Sequence, residues 1–264
     1  MSARPRLLAT DLDGTLLRSD GSLSTRTRDA IAAAAASGVP TLFVTARPPR
    51  WLDELAHAVG EHGVAICGNG AFVYDVASRT VSSSRSFDRA DIAAVVTDLR
   101  AAIPDVAFAV ERADGMGREP AYIYAGEFDD GHVVGPFAEI AGSTVGKLLA
   151  RSAASRPDDF LSLVAQVVGG RVELGFSGAM GLAEMTAPGV TKATGLAAWC
   201  DERSIRSSEV WACGDMPNDL PMLAWAGRSF AVANAHPEVL AAATDRISSN
   251  DEDGVASLLE SFAI

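Results

Sequence analysis

The chain is poor in the features that staple or anchor a protein. Its three cysteines, Cys67, Cys200 and Cys213, stand far apart in 264 residues and show no zinc-ligand spacing. That argues against a disulfide framework and a structural zinc, and a scattered odd count fits a reducing compartment. No apolar run approaches the ~18 residues of a membrane span, and no N-x-[ST] sequon occurs. Positive charge is scarce. With 22 Lys and Arg against 34 Asp and Glu, the formal net charge is -12, which argues against nucleic acid or an anionic membrane as partner. An anionic ligand must then be met by local positive charge or by a metal. The histidines His57, His62, His132 and His236 show no ligand spacing and read as surface or capping residues.

What is present is an ordinary globular composition. Hydrophobic residues make up 48% and charged residues 21%, which excludes a mainly disordered chain. The length suits one large domain or two modest ones with a core that needs no staples. The apolar run near the N-terminus stops at Ala9, and removal of a leader of roughly 15–30 residues would take Asp11 and Asp13 with it. The expected location is cytoplasmic. Nothing in the sequence speaks to oligomeric state.

Short apolar runs alternate with helix-like segments. Strands are expected at Arg6–Thr10, Pro40–Val44 and Val64–Cys67, with helices at Ser24–Ser37 and Pro48–Val59. Asn69-Gly70 marks a turn, and Ala71–Tyr74 and Thr80–Ser83 can pair. The pattern changes after about residue 84. Helix Asp88–Ala102, strand Val106–Glu111, a weakly patterned Asp114–Pro136, strand Val145–Arg151, helix Pro157–Val168 and two successive strands, Arg171–Phe176 and Leu182–Thr186, suggest an antiparallel α+β module. From Thr191 the alternation returns, with strands at Glu209–Cys213 and Ser229–Ala233. The expected fold is α/β, a doubly wound parallel sheet formed by residues 1–83 and 188–264, interrupted by an α+β insert at 84–187.

Four strand or helix ends carry the chemistry. In Thr10-Asp11-Leu12-Asp13-Gly14-Thr15 the two aspartates, two apart in extended chain, point the same way. They lie at the sheet edge where open parallel sheets bind ligands. Crowded carboxylates need a cation or a proton between them, although Asp-Gly is also a common turn pair. Gly214-Asp215-Met-Pro-Asn218-Asp219 ends another strand; Asp215 is either an N-cap or a hard oxygen ligand for Mg²⁺, and Asp219 a favourable charge at a helix start or a support for the metal site. Thr45, ending Leu42–Thr45, either caps a helix or offers its hydroxyl to a phosphate. Lys192 begins a helix against its dipole; it is either an ordinary surface residue or, which makes more sense of that position, a charge that neutralises a bound anion.

Taken in order, Asp-x-Asp-Gly-Thr, Thr45, Lys192 after a long insert, and Gly-Asp-x-x-Asn-Asp resemble the haloacid dehalogenase superfamily. Met222–Gly227, Ala233–Val239 and Asn250–Ala256 are similar to its Cof-type phosphatases, whose large cap lies between the second and third motifs. Ala46 stands where many relatives have Gly. The resemblance implies a Mg²⁺-dependent phosphatase acting on a small phosphorylated metabolite, a sugar phosphate by default, with flavin-related and pyridoxal phosphates as further classes. Asp11 is then the nucleophile that becomes an aspartyl-phosphate, and Asp13 the general acid and base. Mg²⁺ is held by Asp11, the Asp13 carbonyl and Asp215 with Asp219 in support, and the phosphate is held by Thr45, Lys192 and Asn218, with Arg47 a weaker candidate. The insert is expected to cover the site, with Arg112, Arg118, Tyr122, Tyr124 and Glu184 as residues that could face substrate. The rivals are a phosphomutase on the same scaffold, a metal-dependent glycosyltransferase and a non-catalytic phosphate-binding module. Gly142–Lys147 has one residue too few between its glycines for a P-loop and lacks the Ser or Thr after Lys; Lys147, in the insert, serves as a control for Lys192. Gly175–Ala179 lacks the last glycine of a nucleophile elbow, and Gly68-Asn69-Gly70 lacks the third glycine of a dinucleotide motif.

Overall fold

The computed structural model describes residues 4–58, 63–123, 133–142 and 144–262. Tyr124, His62 and His132 lie outside the described residues. In chain order the strands are β1 (Leu7–Thr10), β2 (Thr41–Val44), β3 (Val64–Cys67), β4 (Phe72–Asp75), β5 (Thr80–Ser84), β6 (Val106–Arg112), β7 (Gly115–Arg118), β8 (Val133–Val134), β9 (Val145–Ser152), β10 (Glu173–Gly175), β11 (Ala183–Thr186), β12 (Val210–Gly214), β13 (Arg228–Val232) and β14 (Asp245–Ile247). The helices are α1 (Thr25–Ala36), α2 (Arg89–Ala102), α3 (Phe137–Ile140), α4 (Pro157–Val168), α5 (Lys192–Asp201), α6 (Leu220–Trp225), α7 (Pro237–Ala242) and α8 (Gly254–Glu260). Two compact units result, Met1–Ser82 with Thr191–Ile264, and Ser83–Val190.

The first unit is built on an eight-stranded sheet in the order β14-β13-β12-β1-β2-β3-β4-β5. From β14 to β3 the pairings are parallel. The inner strands are apolar on both faces, as a doubly covered sheet requires. Leu7, Leu8, Leu42 and Val44 have no exposed surface, and burying each such side chain contributes on the order of 2 kcal/mol. The chain runs β1, β2, β3 to one side and β12, β13, β14 to the other. Its direction of winding therefore reverses beside β1, where open α/β sheets bind ligands.

The parallel sheet carries an antiparallel edge, where β4 pairs with β3. Only Gly68–Ala71 separates the two strands, far less than the dozen or so residues of a parallel crossover. The segment expected as a helix at Pro48–Val59 is a run of 3₁₀ turns over Pro49–Ala58. Pro48 and Pro49 supply no N–H donor, and the first turn closes from Trp51 N to Pro48 O, three residues back.

The second unit is a six-stranded sheet in the order β10-β11-β9-β6-β7-β8. Its pairings are antiparallel apart from β7 with β8. Helix α2 starts at an Asp88 cap that accepts from Ala90 N at 2.8 Å, and it packs against α4. Strand alternation puts Phe108, Val110, Leu148 and Met185 on one face, and Glu111, Lys147 and Glu184 on the other. β7 falls within the stretch expected to be weakly patterned. No helix among the described residues is long and apolar enough to cross a membrane.

Candidate active site

The site grows from the ends of four neighbouring strands of the first unit. Beyond β1, Asp11 N donates to Cys213 O at 3.1 Å, which extends the β1–β12 pairing by a residue and sets Asp11 beside the end of β12. The chain then folds over Leu12, whose carbonyl accepts from the N–H groups of Thr15, Leu16 and Leu17. Gly14 makes this possible. Its φ is +77°, and a Cβ there would lie 2.4 Å from Asp215 Oδ2. Thr15 Oγ1 donates to Asp215 Oδ1 at 2.6 Å. Asp219 is fully buried and folds back over the β12 loop, its Oδ2 accepting from Asp215 N and Met216 N at 3.0 Å each.

Lys192 joins these parts. It opens α5 behind a Thr191 cap, where Thr191 Oγ1 accepts from Thr194 N and Thr194 Oγ1 accepts from Thr191 N. Its ammonium donates to Asp11 Oδ1 at 2.6 Å and Asp219 Oδ1 at 2.7 Å, with the whole side chain buried. The start of α5 is placed by a close approach to the loop after β3: a Cβ on Gly70, whose φ is +100°, would lie 2.1 Å from Thr191 O.

Asp11, Asp215 and Asp219 offer carboxylate oxygens within 4.8 Å of one another. One ammonium cannot neutralise three carboxylates. Burial raises the Asp11 carboxyl well above the ordinary range, Asp219 and Asp215 add to the rise, and Lys192 opposes it. Burial and then Asp219 push Asp215 up to about 6. For Lys192 burial works against the charged form, but Asp11 and Asp219 outweigh it and the ammonium is held more firmly than usual. An all-oxygen cluster with surplus negative charge suits a hard divalent cation such as Mg²⁺ better than zinc. Asp219 has both oxygens committed to Lys192 and to backbone N–H groups, so Asp11 and Asp215 are the side chains that fit a metal best.

A model of the haloacid dehalogenase-like hydrolases matches residues 8–259. The chain belongs to that family. Among its relatives, 5-amino-6-(5-phospho-D-ribitylamino)uracil phosphatase YitU of Bacillus subtilis (strain 168) is 27% identical, with 99% of each chain covered. Among solved structures, the haloalkanoate (HAD) superfamily phosphatase BT1666 of Bacteroides thetaiotaomicron gives a TM-score of 0.82 at 24% identity, covering 100% of this chain and 97% of that one. The HAD subclass IIB sugar phosphatase BT4131 gives 0.80 at 21% identity, covering 98% and 100%. These two likenesses show the fold. The chain is thus a hydrolytic enzyme of the Cof-type branch, and family membership leaves no room for the glycosyltransferase alternative.

Within this haloacid dehalogenase-like frame, Asp11, Asp215, Asp219 and Lys192 converge directly. Asp13 sits at the mouth, its side chain 57% exposed and held by Arg47, whose Nε and Nη2 donate to it at 2.8 and 2.5 Å. Thr45 is buried at the end of β2, and its Oγ1 accepts from Arg47 N. Asn218 donates from Nδ2 to Asn69 Oδ1 at 3.1 Å, while its own Oδ1 is buried without a hydrogen-bond partner among the described residues.

Asn69 is the residue that sequence reasoning passed over. Asn-Gly reads as a turn, and the signal that could have raised it is its place just past the end of the third parallel strand, as Asp11 and Thr45 lie just past the first and second. In the second unit Glu184 is buried and paired with Lys147. Arg112 donates to Asp114 and to Ile140 O, Tyr122 is buried and Arg118 ends β7. Lys147 is therefore not an inert control but one partner of a buried ion pair. Its place in β9 sets it on the same face as Leu149, Glu111 and Glu184, all of them buried.

Proposed function

We propose that this hydrolase is a Mg²⁺-dependent phosphatase of small phosphorylated metabolites, with a sugar phosphate or a related phosphorylated polyol as substrate, and that it works through an aspartyl-phosphate on Asp11. The observation that carries the reading is the buried Asp11 held between Lys192 and two further carboxylates. Mere phosphate binding calls for donors and has no use for a carboxylate at the centre of the site.

In this reading Asp11 attacks phosphorus and displaces the alcohol oxygen, which takes a proton from Asp13. Asp13 then accepts a proton from water as that water attacks the phosphoenzyme, and phosphate leaves Asp11. Thr45 and Asn218 donate to phosphate oxygens, and Lys192 stabilises the charge that builds on them. Asp219 keeps Lys192 and the β12 loop in position. Mg²⁺, when held by the Asp11 and Asp215 side chains and the Asp13 carbonyl, supplies the positive charge that lets a carboxylate and a phosphate approach. Substrate selection is assigned to the inserted unit, Ser83–Val190. Sugar phosphates are favoured because one similar fold is a sugar phosphatase and one relative acts on a phosphorylated ribityl compound.

The test is phosphate release from a panel of sugar, polyol, flavin-related and pyridoxal phosphates, with and without Mg²⁺. Turnover of at least one sugar or polyol phosphate is expected, abolished by chelator and restored by Mg²⁺. Full activity in excess chelator would overturn the metal assignment, and transfer of the phosphoryl group to another hydroxyl of the substrate without release of phosphate would favour a phosphomutase.

A further inference from the structure

Resting on the phosphatase reading, we propose that Asn69 is a positioning residue that aims the Asn218 amide at the substrate phosphate and ties it to the loops carrying Thr45 and Lys192. Asn69 is buried and sits in the left-handed region, with φ 57° and ψ 34°. Asparagine is one of the few residues with a side chain that tolerates this conformation. Its backbone N donates to Thr45 O at 3.0 Å, and its neighbour Gly70 lies against Thr191 O at the start of α5. Its side-chain Oδ1 accepts from Asn218 Nδ2 at 3.1 Å. Asn69 therefore links the loops after β2, β3 and β12, and the adjacent Gly70 brings them against the helix that presents Lys192.

The chemistry of the link is specific. A carboxamide nitrogen carries two hydrogens. When Asn69 takes one, the Asn218 amide plane is fixed and its second hydrogen is left for an anion. The buried Oδ1 of Asn218 has no hydrogen-bond partner among the described residues; as an acceptor it is left for a donor such as a water or a substrate hydroxyl, not for the phosphate. A side chain placed at 69 only to make a turn would need no acceptor facing Asn218, and glycine would serve as well.

The experiment is a double-mutant cycle of Asn69→Gly and Asn218→Ala in the full chain. Glycine keeps the left-handed backbone and the bond from residue 69 N to Thr45 O, so the melting temperature should stay close to wild type. The readouts are kcat and KM on the best phosphate ester found, and inhibition by inorganic phosphate. Asn69→Gly should lower kcat by about tenfold, the size of one ordinary hydrogen bond lost from the transition state, and weaken inhibition by phosphate severalfold. In the Asn218→Ala background the same substitution should change neither. A wild-type level of kcat and phosphate inhibition in Asn69→Gly, or an undiminished loss in the Asn218→Ala background, would overturn the role of Asn69 while leaving the phosphatase reading intact. A wild-type chain that releases no phosphate from any ester would take both down.

Discussion

Lys192 and Lys147 are both buried lysines paired with carboxylates, and they differ in what surrounds the pair. Lys147 lies within β9, opposite Glu111 of β6 and Thr186 of β11 and diagonal to Glu184. Its geometry is fixed by strand register, and backbone pairing runs along both sides. Lys192 lies at a helix start and meets carboxylates from two separate loops, Asp11 after β1 and Asp219 after β12. A third carboxylate, Asp215, stands beside them. A buried pair inside a sheet is weak evidence for anything but its own cost, because desolvation offsets much of the attraction. A lysine shared among loop carboxylates at the edge where the sheet changes winding direction is a different object. Its neighbours carry more negative charge than it can neutralise, and the Asp11 and Asp215 carboxyls are raised by their burial first and by the neighbouring carboxylates after it.

The comparison breaks most cleanly at the nucleophile. Asp11→Asn should abolish formation of a covalent phosphoenzyme with every substrate, whereas Glu184→Gln in the second unit should leave that step possible. Intact-mass measurement after mixing with an aryl phosphate checks both. A trapped phosphate in Asp11→Asn would show that the two units have been assigned the wrong chemistry.

Next in size are the lysines themselves. Lys192→Met removes the positive charge that opposes phosphate–carboxylate repulsion, and such a stabiliser is worth on the order of 3 kcal/mol, or about a hundredfold in turnover. Lys147→Met leaves Glu184 buried without its ammonium, and breaking such a pair costs about 3–5 kcal/mol of stability. The expected contrast is loss of kcat for the first and loss of denaturant midpoint for the second. Equal losses of kcat at equal stability would erase the distinction drawn between the two sites.

Much of this was legible from residue order, for identifiable reasons. Asp11 and Asp13 follow a short apolar run that reads as a buried strand, and the period of two turns both the same way beyond its end. Lys192 was legible because it opposes a helix dipole. The double proline at 48 and 49 concealed the 3₁₀ character of the next segment behind a helical spacing of apolar residues. Lys147 was misjudged because it was weighed only by its place in the insert, although it stands inside Val145–Arg151, an apolar run expected to be a strand, where a lysine is buried with its neighbours and needs a carboxylate. Asn69 was hidden because its partner, Asn218, lies 149 positions away, and no local pattern reports a contact at that range.

Asp13→Asn tests how the exposed carboxylate differs from the buried ones. An alkyl phosphate needs a proton on its leaving oxygen, so the first step should stall. An aryl phosphate leaves as a stabilised phenolate and needs it much less, so the phosphoenzyme should form and then wait for a base. Stopped-flow measurement should show a burst of at most one equivalent of phenol, followed by slow turnover. Steady turnover without a burst would mean that Asp13 is not the acid and base.

The smallest expected effect concerns protons on the metal-free cluster. Asp215 titrates near 6 in the folded chain against 3.8 for the ordinary group. Between those values the native state binds more protons than the unfolded state, so stability falls as pH rises. The sign is opposite to that of a surface carboxylate such as Glu209, lowered to about 2 chiefly by its hydrogen bonds to Arg206, whose contribution is lost as pH falls from about 4.5 towards 2. A bound divalent cation replaces the proton, so the melting temperature should rise more on adding Mg²⁺ at pH 7.5 than at pH 5. Asp215→Asn should flatten this difference, because the amide has no charge to relieve and one ligand fewer to offer. Glu209→Gln should leave it unchanged, since that carboxylate lies outside the cluster. Thermal melts at the two pH values decide it: a Mg²⁺ shift that is the same at both, or one that survives Asp215→Asn, would place the cation elsewhere than between Asp11 and Asp215.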